Sequence, residues 1–293
     1  MIRSLLFIII YSCVFTNLIA QDDLLSELEE DLGSEKQYTI ATFKGTRLIN
    51  GHTVKTREKG ELEFLISHRF GAINTGAYEF FGLDDSYMHL TLDYGVTDRL
   101  NVGLGRSSLD KTYDSFVKYK LLRQVNSGNG SPVTVTALIN TSVKTSTDAF
   151  VLPNWTTVNR MAYASSILIA RKFSSSFSMQ LMPVWVHKNR VASPDVNNTY
   201  ALGTGFRVML TSSISLNGEY YFRLNAPDFP DSPRYNSMAL GVDIETGGHV
   251  FQLQLTNSRG MIERAFITET TGSVGAGDIN IGFNISRTFQ LKH

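Results

Sequence analysis

Charged side chains that alternate with apolar ones along short segments are the residues of this sequence best placed for chemistry. The candidates are Glu63, Arg69, Asp93, Arg106, Lys111, Asp114, Lys118, Lys120, Arg160, Arg207, Glu219 and Arg223. Gathered on one polar surface, they could line an aqueous passage with a mild preference for anionic solutes. They could instead pair with one another across a narrow interior, because unpaired charges away from water are costly. The sequence leaves both interpretations open.

Catalytic and metal chemistry have little support. The histidines are His52, His68, His89, His187, His249 and His293. They show neither an HExxH motif nor paired ligand spacing, so we expect no metal site, no cofactor and no catalytic set. His68 could act as the base of a lipase in the outer membrane, because such an enzyme needs a membrane-exposed serine and histidine on neighbouring strands. No serine stands out as its nucleophile, and an interfacial histidine is the simpler interpretation.

Phosphate and nucleic-acid binding are not indicated either. Gly103 and Gly105 alternate within a short apolar segment and lack the following helix and GK[ST] sequence of a phosphate loop. The basic residues are scattered, which does not fit a nucleic-acid surface. Lys plus Arg equals Asp plus Glu at 27 each, so the formal net charge is zero and no polyanionic partner is implied.

The N-terminus has the pattern of a signal peptide over residues 1–20. A positive start at Arg3 precedes the apolar run Leu5 to Val14, and cleavage is expected after Ala20. A membrane anchor would need about 20 apolar residues, which is more than this run contains, so a signal peptide is the better interpretation. Cys13 is the only cysteine and lies in this segment, so we expect the processed chain to have neither disulfides nor cysteine-based sites. After residue 20 no run of about 18 apolar residues occurs, so only a closed barrel could span a membrane.

Residues 21–59 are predicted to form a periplasmic leader or a plug. Leucines at helical spacing among acidic residues predict a short amphipathic helix that ends at Gly33. The polar stretch that follows contains the turn signal Asn50-Gly51 and could lie before or inside a barrel.

Residues 60–293 show the recurring pattern of transmembrane β-strands. Stretches of about ten alternating residues are separated by turn signals, and the first runs from Glu61 to Phe70. We count about twelve such stretches and predict an all-β, antiparallel up-and-down barrel with a polar interior. A soluble β-sandwich would need more Lys and Glu on its outward face. Pro183 is discordant and is expected at a bulge or a strand end.

The lengths of the connectors support this topology. Short turns such as Gly95 to Asp98 and Thr211 to Ser213 are expected to face the periplasm, and long segments such as Ala72 to Ser86 and Arg259 to Asp278 the outside. The final strand, with Phe289 near its end, resembles the C-terminal signal that the barrel-assembly machinery recognises. The chain continues past that aromatic residue, so the match is partial.

The motifs His68-Arg69-Phe70-Gly71, Leu92-Asp93-Tyr94-Gly95 and Lys118-Tyr119-Lys120-Leu121 resemble those of an uncharacterised family of Gram-negative bacteria. The likeness covers roughly residues 40–290. It implies a β-barrel surrounded by the lipid of the outer membrane, but it carries no activity over to any residue. Within it, Arg106, Lys111 and Asp114 lie near one hairpin and are expected to form a structural charge cluster.

Three functions are compatible with this pattern. The leading hypothesis is a passive pore or transporter for small polar solutes, because the predicted interior carries mixed charges and no catalytic set is evident. The alternative is a closed structural barrel, or one whose loops Ala72 to Ser86 and Arg259 to Asp278 bind an external partner. The third is an outer-membrane lipase that uses His68.

Overall fold

The computed structural model describes residues 36–127, 129–146, 156–227 and 233–291. The predicted signal peptide and the predicted leader helix lie outside these residues. The described residues form two compact units, a small one around residues 36–39 and 124–132 and a large one that contains the rest.

The small unit contains a two-stranded antiparallel ribbon. Strand β1, Gln37–Tyr38, pairs with strand β6, Val125–Ser127. The backbone N–H of Thr39 donates to the carbonyl of Gln124 at 2.9 Å and extends the pairing.

The large unit is a closed barrel of twelve antiparallel strands. Its strands are β2 Glu61–Ala72, β3 Ser86–Gly95, β4 Leu100–Ser107, β5 Tyr113–Leu122, β7 Thr134–Val143, β8 Met161–Lys172, β9 Phe177–Lys188, β10 Asn198–Met209, β11 Ile214–Arg223, β12 Ser237–Thr246, β13 His249–Thr256 and β14 Asn280–Gln290. Each pairs with the next barrel strand along the chain, and β14 pairs with β2 to close the circle. The predicted up-and-down barrel of about twelve strands is therefore confirmed.

The alternation of side chains gives the barrel two different faces. On β3, Met88, Leu90 and Leu92 are exposed, whereas His89 and Thr91 are buried. Successive residues of a strand point to opposite sides of a sheet, so the apolar set faces outward and the polar set inward. An apolar outer band is what the hydrocarbon of a bilayer requires.

Pro183 corrects one expectation, because it lies in the middle of β9 and not at a bulge or a strand end. The register between β8 and β9 is the same on both sides of it, from Ser166 opposite Val184 to Ile169 opposite Leu181. The ladder pairs between these two positions are missing. Proline has no N–H to donate, so the sheet tolerates it here by losing local hydrogen bonds and not by shifting register.

The two ends of the barrel differ in their connectors. At the turn end the links 96–99, 173–176, 210–213 and 247–248 are short, and only 123–133 is long. At the loop end the links 73–85, 144–160, 189–197, 224–236 and 257–279 are long, and only 108–112 is short. The loop end is the one predicted to face outside.

One of the long connectors folds into a helix. Helix α1, Glu263–Thr268, lies in the link between β13 and β14, and all six of its residues are buried. Within the described ranges, no helix has the length and apolar character needed to cross a membrane.

Candidate functional site

Residues 40–59, which we call the inserted segment, fold back inside the barrel. They form a tight turn in which the N–H of Leu48 donates to the carbonyl of Gly51 at 2.8 Å, and the N–H of Thr53 donates to the carbonyl of Thr46 at 2.9 Å. All four residues are buried. The barrel wall must therefore supply hydrogen-bond partners for most other backbone groups of this segment.

Glu219 and Arg69 hold the tip of the turn. The Glu219 carboxylate accepts the backbone N–H groups of Asn50 at 2.8 Å and Gly51 at 3.1 Å, and Arg69 donates to the Asn50 Oδ1 atom at 2.8 Å. A Cβ atom at Gly51 would stand 1.9 Å from the Tyr221 hydroxyl. Only glycine fits there, which explains the Asn-Gly pair on structural grounds.

The charged side chain of Lys118 donates to backbone carbonyls of the inserted segment. Its Nζ atom donates to the carbonyl of Lys55 at 2.7 Å and lies 3.4 Å from that of Thr53. Lys118 is fully buried. A buried ammonium group is tolerated only with such partners, so this cation and the inserted segment stabilise each other.

Uncharged amide side chains of the wall also form hydrogen bonds with the inserted segment. Gln180 donates to the carbonyl of His52 at 2.8 Å and accepts from the N–H of Val54 at 2.9 Å. Asn284 donates to the carbonyl of Ile49 at 3.0 Å, and Gln252 donates to that of Leu48 at 2.9 Å. The wall therefore contacts the residues on both sides of the turn.

Glu63 joins the base of the inserted segment to β2. Its carboxylate pairs with Arg57 at 2.7 Å and accepts the hydroxyl of Thr46. Glu63 is 1% exposed. Because removing one partner of a buried pair leaves the other charge uncompensated, this contact resists loss of the segment.

One sector of the wall is apolar and packs as a hydrophobic core. It lies on the inner faces of β8, β9 and β10, where the inserted segment and α1 meet it. The core comprises Phe43, Leu48, Val54, Ala164, Leu168, Ala170, Met182, Val184, Val186, Ala201, Tyr221, Phe266 and Ile267. The interior is thus filled by protein at this level.

Helix α1 enters from the loop end and meets the inserted segment. The Glu263 carboxylate lies 3.4 Å from the Arg47 guanidinium and 3.6 Å from the His52 Nε2 atom. Burial lowers the pKa of His52 well below its usual value, and Arg47 and Lys118 lower it further. His52 is therefore neutral at pH 7, and Arg47 is the cation that Glu263 faces.

Ion pairs fasten α1 to the neighbouring loops. Glu269 pairs with Arg264 at 2.6 Å and with Lys144 at 3.4 Å, and Lys144 also pairs with Asp110 at 2.8 Å. Burial alone would raise the pKa of Glu269, but Arg264, Lys144 and other cations outweigh it and hold that pKa at about 2. Three connectors of the loop end are joined in this way.

The Glu269 pairs predict a pH dependence of stability. Because the pKa of this carboxyl is lower in the folded chain, its stabilisation is complete above the unfolded pKa of about 4.3 and is lost as the pH falls toward 2. The urea midpoint of the wild type should exceed that of Glu269→Gln most at pH 7, and the gap should shrink below about pH 4. An equal gap at pH 7 and pH 3 would contradict this account.

The structure places most of the predicted charges inside the barrel. The inner faces of the strands carry Glu63, Arg69, Asp93, Asp114, Lys118, Lys120, Arg207, Glu219 and Arg223. Few of these charges form ion pairs with another side chain of the inner wall. One that does is Arg207, which lies 3.6 Å from Glu245. Several of these charges instead bind the inserted segment, which neither sequence interpretation foresaw.

Three of the predicted charges lie elsewhere. Arg106 faces outward on β4 in the same phase as Leu104, with its guanidinium 4.9 Å from the ring centre of Tyr113. Lys111 is exposed in the link between β4 and β5, and Arg160 lies in a short turn before β8.

The predicted cluster of Arg106, Lys111 and Asp114 is wrong. Asp114 faces inward and contacts the His89 Nε2 atom at 2.8 Å, whereas the two cations point to other surroundings. Strand alternation separates residues that are close in sequence, so proximity along the chain was misleading.

His68 lies on the outer face, stacked on Phe283 with ring centres 5.0 Å apart. Its Nδ1 atom has no hydrogen-bond partner among the described residues. No serine hydroxyl in the described ranges hydrogen-bonds to the His68 ring. No group of three or more His, Cys, Asp or Glu side chains in the described part of the chain could hold a metal ion.

Sequence reasoning missed the uncharged partners Gln180, Gln252 and Asn284, and the contact between Arg47 and Glu263. The three amides occupy inward positions of predicted strands, so their phase was a usable signal. The contact between Arg47 and Glu263 joins residues 216 positions apart and had no local signal.

A comparison with known protein families agrees with this fold. A family model described as "Membrane bound beta barrel domain (DUF5777)" matches residues 43–289, from within the inserted segment to Phe289 in β14. No curated protein matches the sequence. The barrel is similar to an outer membrane channel from Pseudomonas putida F1, at 12% identity and a TM-score of 0.49, over 80% of this chain and 98% of that one.

Two further solved barrels are similar. The NanC porin has 10% identity and a TM-score of 0.48, over 79% of this chain and 100% of that one. The KdgM porin has 6% identity and a TM-score of 0.46, over 78% of this chain and 99% of that one. The family match extends over most of the chain, and its description agrees with the closed barrel. The chain belongs to the DUF5777 family of membrane-bound β-barrel domains.

Proposed function

We propose that this outer-membrane barrel is a channel for small polar solutes that its own inserted segment closes at rest. The observation that carries the proposal is the chemistry of the wall. Glu63, Arg69, Lys118 and Glu219 make hydrogen bonds or ion pairs with the inserted segment. These groups can exchange the segment for water without being left unpaired.

The energetics of a polar interface support movement of the segment. Exchanging a protein hydrogen bond for one to water changes stability by only about 0.5–1.5 kcal/mol between neutral groups and about 1.5–3 kcal/mol where one group is charged. Exposing apolar surface costs about 25 cal/mol per Å². A mostly polar wall on β2–β5, β7 and β11–β14 therefore releases its occupant more readily than an apolar wall would. Without the segment, the same wall would suit hydrated solutes.

A second candidate is a permanently closed barrel. The hydrophobic core on β8–β10 favours it, because Phe43, Leu48 and Val54 would be exposed or displaced if the segment left. The same holds for α1, whose Phe266 is fully buried. The two candidates differ in one respect, namely whether the inserted segment ever leaves the wall.

A reversible tether tests the proposal. Val54 lies beside the wall residue Thr136, whose hydroxyl is 3.3 Å from the Val54 carbonyl oxygen. In a background where Cys13, the only cysteine, is replaced, we would join the two positions as Val54→Cys with Thr136→Cys. In planar bilayers the oxidised protein should be silent, and reduction should restore the openings of the cysteine-free parent.

The single-cysteine variants serve as controls, and their conductance should not depend on the redox state. Openings that persist in the fully oxidised double variant would mean that solutes pass without movement of this segment. A parent that stays silent at every voltage, together with a reduced variant that stays silent, would overturn the proposal in favour of the permanently closed barrel.

A further inference from the structure

An apolar groove lies on the outer face of the barrel, across β3, β4, β5 and β7. Its volume is about 510 Å³, within the roughly 300–1,000 Å³ range of small-molecule sites. The groove is lined by Leu62, Leu92, Tyr94, Val102, Gly103, Leu104, Ser115, Phe116, Val117, Ile139 and Thr141. The outer face of a membrane barrel lies against hydrocarbon, so an apolar chain is the occupant that this lining suits.

Two rows of directly paired, outward-facing residues form the groove. In the row nearer the turn end the paired residues are Tyr94, Val102, Val117 and Ile139. In the row nearer the loop end they are Leu92, Leu104, Ser115 and Thr141. Ser115 is much shorter than its neighbour Leu104, so this second row leaves a depression among bulkier side chains.

The next outward row toward the loop end carries a cation. Arg106 is paired with Leu90 on one side and with Tyr113 on the other. It lies two residues beyond Leu104, which is about 7 Å along a strand. Its guanidinium lies 4.9 Å from the ring centre of Tyr113 and donates to the carbonyl of Ser107. These contacts hold a positive charge at the rim of the groove.

This charge has no carboxylate partner among the described residues, and neither has Lys111, which is exposed in the link of the same hairpin. The carboxylate of that link, Asp110, is already paired with Lys144 at 2.8 Å and with Arg264 at 3.8 Å. A cation on the lipid-facing surface is stabilised where an anionic headgroup can reach it. Arginine and lysine both bind phosphate, the first through two parallel hydrogen bonds and the second as a point charge.

A second apolar groove on the outer face, across β10–β13, lacks this feature. Its volume is about 410 Å³, and none of its lining residues is basic. The next outward pair toward the loop end is Leu202 opposite Phe222, which offers no charge to a headgroup. The combination of groove and cation therefore distinguishes the hairpin of β4 and β5.

We propose that the groove on β3–β5 and β7 binds an acyl chain of a phosphate-bearing membrane lipid, with Arg106 and Lys111 donating to its phosphate. The site lies on the outside of the barrel wall, whether or not the interior conducts. The inference therefore goes beyond the proposed channel and holds or fails independently of it.

Native mass spectrometry of the full chain, refolded in detergent and titrated with dioleoyl phosphatidic acid, tests the proposal. A single molecule of this lipid should stay bound to the wild type. Dioleoylglycerol, which has the same chains without the phosphate, should be lost. Arg106→Gln should weaken retention of phosphatidic acid by at least about tenfold, because charge-assisted hydrogen bonds to the phosphate disappear. Ser115→Phe, which fills the groove and keeps the cations, should weaken it as well.

The matched controls lie on β8, away from the groove. Arg171 faces outward near the turn end, with its guanidinium 5.3 Å from the ring centre of Phe173, and Ser165 faces outward on the same strand. Arg171→Gln and Ser165→Phe should retain the lipid as the wild type does. Lys111→Gln, in an exposed link, keeps the charge test valid if Arg106→Gln fails to fold.

Three results would overturn the proposal. The first is a wild type that retains no phosphatidic acid, or that retains dioleoylglycerol equally well. The second is equal retention by Arg106→Gln, Lys111→Gln and Arg171→Gln. The third is a lipid-free dimer that Ser115→Phe dissociates, which would assign the groove to a second copy of the chain. Conductance plays no part in these readouts, so their failure is distinct from failure of the channel proposal.

Discussion

Replacing Glu219 with glutamine is expected to expose the inserted segment to trypsin. The carboxylate accepts two backbone N–H groups, from Asn50 and Gly51, at the tip of the buried turn. Each of these two hydrogen bonds to a charged group is worth about 1.5–3 kcal/mol, whereas one to a neutral amide oxygen is worth about 0.5–1.5 kcal/mol. We therefore expect a loss of about 1.5–3 kcal/mol, which raises the released fraction of the segment roughly ten- to hundredfold.

Lys59 is exposed, but the other four trypsin target residues of the inserted segment, Lys44, Arg47, Lys55 and Arg57, are buried or half-buried and report this release. Cleavage there, mapped by mass spectrometry, should be slow in the wild type and faster by the same factor in Glu219→Gln. The matched control is Glu79→Gln in the exposed link between β2 and β3, which should cleave as the wild type does. If Glu219→Gln resists trypsin as well as the control, the carboxylate is not what retains the segment.

The barrel could be predicted from the sequence because its signal is local. Each strand needs only its own alternation of apolar and polar residues, as at Met88, Leu90 and Leu92, and repetition corrects single ambiguities. The same rule also shows where the prediction failed. Leu100, Val102 and Leu104 share the outward phase of β4, and the same phase places Arg106 outward too. Arg106 was assigned to the interior because it is charged, although the alternation of its strand places it on the outer face.

A plug formed by residues 21–59 was one of the two predicted arrangements, but its contacts inside the barrel could not be predicted, since they join distant residues. The inserted segment has no helical or strand period, and its turn is recognised by Glu219, 169 positions from Asn50. The link 257–279 had the length of an external binding loop, yet Met261 to Thr268 are buried. The local sequence of this link does not indicate that it folds inward, because the residues that it contacts lie on β8 and β9.

The Phe266→Ala substitution should loosen α1 more than any polar change at the loop end. Phe266 is fully buried, and its ring centre lies 4.9 Å from that of Tyr221 on β11. Truncating a buried phenylalanine costs about 3–5 kcal/mol through lost burial and the cavity left behind. Because α1 sits in a connector, this loss should appear as local opening before the barrel unfolds. Amide hydrogen exchange of residues 261–268 should rise by roughly a hundredfold or more.

Phe81→Ala is the matched control, because that ring is 50% exposed in the link between β2 and β3 and its loss should leave exchange in α1 unchanged. Exchange in the barrel strands reports on the other possibility. If their amides accelerate together with those of α1, the helix is part of the same cooperative unit as the barrel, and the core on β8–β10 acts as a permanent seal. Acceleration confined to α1 would show that the helix opens without unfolding of the barrel, so that α1 itself would not prevent movement of the inserted segment.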